Sequence, residues 1–177
     1  MTNAGDISGQ TSLGAGDDSF THFAGSSNQV VDGETGTDTV IFVIADTDGP
    51  TTLNGSDFTN IETADHSAGG ELTLSFTNSV GFSEVIIGTD STLNVESGRA
   101  ANVTTTIDDG GTLTLDAGSD FTNTTDTGTT ILAVGDNVTI DNAGSISATG
   151  VNGTAVAFNG GTNDLVNTCL LYTSDAA

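Results

Sequence analysis

The sequence predicts an all-β fold in which short parallel strands stack as the turns of a right-handed β-solenoid, with almost no helix. Short runs such as Thr112–Leu115 alternate apolar and threonine side chains, as half-buried strands do, and no helix-length stretch has a 3.6-residue period. The hexapeptide Gly-Ser-Asp-Phe-Thr-Asn occurs at residues 55–60 and again at 118–123, which is typical of a repeat array. The alternative is a closed antiparallel sandwich, which the repeat spacing disfavours.

Composition limits the partners of this chain. Its 177 residues include 24 acidic residues, one arginine and no lysine, for a formal net charge of −23. Because almost no carboxylate can pair with a cationic side chain, water, salt or metal ions must balance the charge. The large excess of negative charge argues against nucleic acid and anionic membrane as partners. No apolar segment is long enough to span a bilayer.

Residues 13–40 contain two imperfect copies of one turn-and-strand unit, LGAGDDSFT and VDGETGTDTV. Each copy has the form G-x-D-x-apolar, and equivalent positions lie twenty residues apart. The equivalent pairs are Gly16 with Gly36, Asp18 with Asp38 and Phe20 with Val40.

These two copies resemble the calcium-binding nonapeptide repeat of bacterial RTX-like proteins. In that repeat, glycines make tight turns, aspartate supplies carboxylate oxygen and the apolar residue fills the core. The resemblance implies a Ca²⁺ site with Asp18 and Asp38 as side-chain ligands. Supplementary ligands would be the carbonyl groups around Gly14, Gly16, Gly33 and Gly36. Because Ca²⁺ takes six to eight oxygens, we expect the site to form between stacked turns.

The strands follow in order after this region. Thr39–Ala45 is a continuous apolar run that predicts a buried strand, and residues 46–50 predict a plain turn. From Glu71 onward, strand-like runs follow one another at 72–76, 84–88, 92–95, 103–107, 112–115, 130–134, 138–140 and 154–158. With two strands per turn of about nineteen residues, we expect roughly nine turns and a rod about 43 Å long. The predicted apolar ladder is Phe20, Val40, Phe58, Phe76, Val95, Leu115 and Val134.

Residues 137–168 resemble the repeats of bacterial autotransporter and haemagglutinin-like passenger proteins, through an N-x-G-x-I turn and a closing N-G-G-x-N-x-L-V-N segment. The resemblance implies asparagines that lie inside turns and bond the backbone above and below: Asn142, Asn159, Asn163 and Asn167. We therefore divide the chain into a calcium-repeat-like segment at 1–66 and an autotransporter-like segment at 67–168. The FTNIE segment at 58–62 resembles what often follows the nonapeptides.

Residues 169–177, CLLYTSDAA, resemble the translation of a sequencing adapter. They hold the only cysteine and the only tyrosine of the chain. Because they continue no repeat that the sequence reveals, we expect them to be a non-native tail that lies outside the fold.

Taken together, these patterns predict a non-catalytic segment of a larger bacterial repeat protein, secreted or held at the cell surface. We expect it to act as an adhesin or structural passenger toward a host-surface or glycan ligand, with a weak calcium site that couples folding to export. The alternatives are a polysaccharide-active enzyme with a carboxylate pair among its 24 acids, and an ice-binding solenoid based on Thr-x-Thr pairs. We interpret His22 and His66 as solvated or turn-packed side chains.

Overall fold

The computed structural model describes residues 1–26, 30–45, 47–49, 51–75 and 82–173, and it confirms an all-β parallel solenoid. One three-residue 3-10 helix, Gly55–Asp57, interrupts the strands. Every named pair of strands is parallel, as a stack of solenoid turns requires. The strands are Thr2–Asn3 (β1), Thr11–Ser12 (β2), Ser19–Phe23 (β3), Val31–Asp32 (β4), Thr39–Val43 (β5), Thr51–Asn54 (β6), Phe58–Thr59 (β7), Thr63–His66 (β8), Glu71–Ser75 (β9), Glu84–Ile87 (β10), Thr92–Ala101 (β11), Thr104–Ile107 (β12), Thr112–Leu115 (β13), Ser119–Asn123 (β14), Thr129–Ala133 (β15), Thr139–Asn142 (β16), Ser145–Ala148 (β17), Thr154–Phe158 (β18), Asp164–Asn167 (β19) and Leu170–Thr173 (β20).

These strands form three sheets along the solenoid. Sheet 1 has eight strands in the order β1-β3-β5-β8-β10-β12-β15-β18. Sheet 2 has nine strands, and the long strand β11 joins its two rows, β6-β9-β11-β13-β16-β19 and β11-β14-β17-β20. Sheet 3 is the short stack β2-β4-β7 near the N-terminus. The turns that begin at β1 and β3 therefore have two strands each, and those that begin at β5, β12, β15 and β18 have three.

The third strand changes the number of turns. The chain makes about seven turns, so the prediction of nine is wrong. Thr2 pairs with Thr21, nineteen residues later, but Thr39 pairs with Thr63 and Thr105 with Ile131, so the turns that hold a third strand are longer. The turn from Glu84 to Thr104 takes twenty residues. A turn that carries three strands consumes more residues than the two-strand turn that we assumed.

The apolar core lies between the sheets. In β5 burial alternates, with Val40 and Phe42 buried and Ile41 half-buried, so the predicted strand exists but is buried on one face. One inner ladder of sheet 1 changes from polar to apolar along the rod. Its buried members are Asn3, His22, Phe42, His66, Ile87, Ile107 and Ala133.

The apolar ladder predicted from the sequence is confirmed for Phe20 with Val40 and for Val95 with Leu115. Its step from Val40 to Phe58 is wrong, as is its step from Leu115 to Val134, because Leu115 pairs with Asn142. Ala64, rather than Phe58, pairs with Val40 in sheet 1. Phe58 lies on β7 and pairs with Val31 in sheet 3, because β6 and β7 enter the chain between two strands of sheet 1. Phe76 lies outside the described residues.

The expectation that the C-terminal tail lies outside the fold is wrong for Leu170–Thr173. These residues form β20, which pairs in register with β17 from Ser145↔Leu170 to Ala148↔Thr173. Strand pairing needs only backbone groups, so an exposed edge position accepts a segment that shows no repeat motif. No helix among the described residues is long and apolar enough to cross a membrane.

Candidate metal centre

The candidate site lies where three successive turns enter sheet 1. Asp18 precedes β3, Asp38 precedes β5 and Glu62 precedes β8. The register Ser19↔Thr39 and Thr39↔Thr63 stacks these three acidic residues directly above one another. Sequence comparison of the two G-x-D copies finds the first two members of this stack and misses Glu62, because four additional residues separate it from the second copy.

Hydrogen bonds between turns hold this acidic stack together. The Asp18 N–H donates to Asp38 Oδ1 at 2.9 Å, and the Asp38 N–H donates to Glu62 Oε2 at 2.8 Å. The Asp38 carbonyl oxygen accepts the N–H groups of Glu62 and Thr63, both at 3.0 Å. The carboxylates of Asp38 and Glu62 therefore each brace the backbone of the preceding turn, and charge-assisted bonds of this kind are stronger than neutral ones.

One carboxylate oxygen of this stack accepts no backbone N–H. Asp38 is fully buried, and its Oδ2 atom has no hydrogen-bond partner. A Cβ placed on Gly33 would lie 2.5 Å from Asp38 Oδ2 and would overlap the carbonyl oxygen of Asn60. The two oxygens therefore converge beside Gly33, where only glycine leaves room for them. A buried carboxylate oxygen is costly without a proton, a donor or a cation.

Asn60 is held in place by a second acidic residue. Its Nδ2 donates to Asp32 Oδ1 at 2.8 Å, and the same oxygen accepts the Glu34 N–H at 3.0 Å. Asn60 adopts a positive φ of 50°, which asparagine tolerates better than most residues. The FTNIE segment marks Asn60 in the sequence as part of a motif. Its contact with Gly33, however, depends on how the turns stack.

The other predicted glycines have a stacking role. Gly36 adopts a φ of 147°, and a Cβ there would overlap the carbonyl oxygen of Gly16 in the turn below. The Gly16 N–H donates to the Thr35 carbonyl at 2.8 Å, and the Thr35 N–H approaches the Gly14 carbonyl at 3.5 Å. The carbonyl groups of Gly14 and Gly16 thus face the neighbouring turn.

Among the six predicted site residues, the structure places the carboxylate of Asp38 next to Gly33. Asp18 meets Asp38 through its backbone amide. In the part of the chain that the structure describes, no three histidine, cysteine, aspartate or glutamate side chains converge in an arrangement that could hold a metal ion. The donors that fit a hard cation are therefore one carboxylate oxygen and one carbonyl oxygen, with water to complete the shell.

The same bracing continues along the rod, beyond the candidate site. The Asp136 N–H donates to Asp109 Oδ1 at 2.8 Å, and the Val151 N–H donates to Asp126 Oδ1 at 2.9 Å. Acidic side chains therefore act repeatedly as acceptors for the next turn.

Two of the four predicted turn asparagines have the expected role. Asn163 Oδ1 accepts the Val138 N–H at 2.9 Å, and buried Asn142 donates to Asn167 Oδ1 at 2.7 Å and to the Leu170 carbonyl at 3.4 Å. Asn159 and Asn167 are exposed.

Both histidines are buried and packed against turns, so the solvated interpretation is wrong and the turn-packed one is confirmed. His66 Nε2 lies 3.2 Å from the Gly70 carbonyl and 3.1 Å from the Thr92 carbonyl, while its Nδ1 has no hydrogen-bond partner. Burial lowers the pKa of His66 below the ordinary value for histidine, although the carbonyls of Gly70, Thr92 and Phe42 and the nearby Asp65 partly offset this effect. A neutral imidazole therefore links the turn at 67–70 to the next turn.

The Thr-x-Thr pairs do not form one row. Thr104 and Thr106 lie on β12 in sheet 1, whereas Thr112 and Thr114 lie on β13 in sheet 2. Thr127 lies in a turn with a φ of 62°. The chain passes from sheet 1 to sheet 2 between these two pairs, so pairs that are neighbours in sequence lie on different sheets.

No protein-family model, curated protein or solved structure matches this chain.

Proposed function

We propose that this chain is a non-catalytic segment of a larger secreted or cell-surface bacterial repeat protein, which acts as a spacer or an adhesive surface toward a host-surface or glycan ligand. The observation that carries the proposal is the repeated use of acidic side chains as turn-to-turn braces. Asp38, Asp109 and Asp126 each accept a backbone N–H from a neighbouring turn.

This use of carboxylates suits a rod better than a catalytic cleft. A glycosidase needs two carboxyl groups that face one sugar across a short gap. A carboxylate that holds the backbone of the next turn is fixed in orientation and contributes to the stiffness of the stack. Because the turns repeat in register, the rod also presents long lateral faces on which a ligand can be bound many times.

A glycan screen tests this proposal. We expect binding to glycans or host-surface extracts without turnover. Turnover that disappears when one defined aspartate or glutamate is replaced by its amide would instead assign the chain to the polysaccharide-active enzymes.

The proposal includes a weak calcium site at the buried oxygen of Asp38. Asp38 Oδ2 and the Asn60 carbonyl would supply the protein ligands beside Gly33, and Asp18 remains a predicted ligand through its carboxylate. With so few protein oxygens, we expect an affinity of about 10⁻⁴ to 10⁻³ M, as in extracellular calcium modules. Such a site would favour the folded chain outside the cell, because metal binding contributes free energy to folding.

The substitution Asp38→Asn tests the calcium site with little change in shape. Its Oδ1 can still accept the Asp18 N–H, while its amide group can donate to the Asn60 carbonyl. We expect the melting temperature of the wild type to rise more in millimolar Ca²⁺ than in millimolar Mg²⁺, and the Asp38→Asn variant to lose this difference.

Asp126→Asn is the matched control, because Asp126 braces a turn in the same way, through Oδ1. This variant should keep the calcium response. An equal rise with both cations, or a response that Asp38→Asn retains, would mean that ions merely screen the acidic surface.

A further inference from the structure

Asp32 connects three successive turns beside the candidate metal centre. It ends β4 in the second turn, directly before Gly33, and it is half-buried. Its Oδ2 accepts Gln10 Nε2 of the first turn at 3.2 Å, and its Oδ1 accepts Asn60 Nδ2 of the third turn at 2.8 Å. The Glu34 N–H donates to the same Oδ1 at 3.0 Å. Both oxygens of this carboxylate are therefore oriented by hydrogen-bond donors, one from each neighbouring turn and one from its own.

The carbonyl group of Asn60 needs support from outside its own turn. Asn60 has a φ of 50°, and a left-handed conformation of this kind costs free energy in any residue other than glycine. Its side chain is exposed, so packing contributes little to holding it. The Gly33 N–H donates to the carbonyl of the preceding Thr59 at 3.0 Å, and Asp32 binds the Asn60 amide. These two bonds fix the direction in which the Asn60 carbonyl points.

The other oxygen donor of the centre is held independently. Asp38 is fully buried, and its Oδ1 accepts the Asp18 N–H at 2.9 Å, which orients the carboxylate and its Oδ2 atom. A Cβ on Gly33 would lie within 2.5 Å of both Asp38 Oδ2 and the Asn60 carbonyl oxygen, so the two oxygens converge only while Asn60 keeps its conformation. Of the two donors, the Asn60 carbonyl is therefore the one whose position depends on Asp32.

We infer, on the basis of the calcium site proposed above, that Asp32 is a positioning residue for this site. It acts through the side chain of Asn60, which aims the Asn60 carbonyl at the position that Asp38 Oδ2 faces, and it supplies no ligand itself. Removing a group that orients a metal ligand typically weakens metal binding by about 10–100-fold. The affinity of the site for Ca²⁺ would thus depend on a residue that does not touch the ion.

Calcium titration of the 177-residue chain and three single variants tests this role. Isothermal titration calorimetry at constant ionic strength measures the affinity, with Mg²⁺ as the comparison cation. Asp32→Ala should weaken Ca²⁺ binding at least about tenfold. Asp32→Asn should recover most of the affinity, because its Oδ1 can still accept Asn60 Nδ2. Asp109→Ala is the matched control, since it removes the same charge and a bond between turns far along the chain, from the Asp136 N–H. It should leave the affinity unchanged.

A double variant shows whether Asp32 acts through Asn60. Asn60→Gly keeps the carbonyl and tolerates the positive φ but loses the amide that Asp32 binds, so it should weaken Ca²⁺ binding as Asp32→Ala does. Adding Asp32→Ala to Asn60→Gly should then have no further effect. Circular dichroism without calcium checks that each variant keeps the fold.

The outcomes separate this role from the site itself. A wild type that binds Ca²⁺ no better than Mg²⁺ would overturn the calcium site and the role of Asp32 with it. With a calcium-selective wild type, three results would overturn the role of Asp32 alone. These are unchanged affinity in Asp32→Ala, additive losses in the double variant, and a loss in Asp32→Asn as large as in Asp32→Ala.

Discussion

The first turns and the later turns of this solenoid differ in the number of strands that each turn stacks on its neighbours. Up to β5 each turn holds two strands, and the interior includes buried polar side chains such as Asn3, His22 and Asp38. From β12 onward each turn holds three strands, and buried apolar positions such as Leu113 lie beside buried polar ones such as Thr130 and Asn142. The two-strand turns take nineteen or twenty residues and the last turns about twenty-five, so an added strand lengthens the turn without removing polar side chains from the interior.

The repeated hexapeptide shows the same difference with identical residues. At 55–60 it forms a 3-10 helix and the two-residue strand β7, whereas at 118–123 it includes the five-residue strand β14. Both phenylalanines are buried, but Asn60 is exposed while Asn123 is buried and bonds the Val103 carbonyl. The neighbouring turn, rather than the local sequence, decides how long the strand becomes.

The largest effect should come from truncating the two equivalent phenylalanines. Phe121 lies on β14, which pairs on both sides, so Phe121→Ala should lower the free energy of unfolding by about 3–5 kcal/mol. Phe58→Ala should cost less, because β7 is an edge strand and its surroundings can relax more. Urea denaturation measures both values.

Phe158→Ala is the control for this pair, because Phe158 is exposed, and it should cost the least. A larger cost for Phe58→Ala than for Phe121→Ala would show that the aromatic contacts of Phe58 with Phe42 and His22 outweigh sheet position.

The second effect distinguishes the stability cost of a close contact between turns from the cost of backbone strain, by comparing two glycines. Gly36→Ala introduces a Cβ that overlaps the Gly16 carbonyl oxygen, whereas Gly118→Ala meets no atom within 4 Å, although both glycines have positive φ. Backbone strain alone costs about 1–3 kcal/mol. The loss in free energy of unfolding should therefore lie in this range for Gly118→Ala and exceed it for Gly36→Ala. Equal losses in thermal melts would mean that the first turns are not closely stacked at Gly16.

The third effect concerns the last turn. Deleting residues 169–177 removes β20 and uncovers Ile146, which is fully buried and pairs with Leu171. Exposing part of one such side chain costs about 1–2 kcal/mol, which corresponds to a fall of roughly 2–8 °C in melting temperature. A change smaller than about 2 °C would mean that this tail adds nothing to the fold in solution.

The smallest expected effect is a pH dependence of folding stability that comes from His66. Because burial lowers its pKa in the folded state, the unfolded chain binds the proton more readily, and stability falls as pH drops through the ordinary histidine range. Thermal melts between about pH 7.5 and 5.5 avoid most carboxylate titration. His66→Gln keeps a donor for the Gly70 and Thr92 carbonyls and should flatten the profile, whereas an unchanged profile would assign the dependence to other groups.

The sequence by itself determined the local features of this protein. Alternation predicts Thr112–Leu115 and Thr154–Phe158 with their observed bounds. The hexapeptide spacing also agrees with the structure, because three steps of sheet 1 separate its two copies, from β8 to β15. These features depend on side-chain period and turn chemistry, which lie within a few residues of each other.

Only the tertiary structure decided which strand belongs to which sheet. A two-residue period is the same in every sheet, so it cannot tell Phe58 in sheet 3 from Ala64 in sheet 1. The candidate site depends on this assignment, because Asp38 meets Glu62 and Gly33 through the register of successive turns. Gly33 is close to Asp38 in sequence, but Asn60 and Glu62 are more than twenty positions away, and the stacking of whole turns sets their contacts.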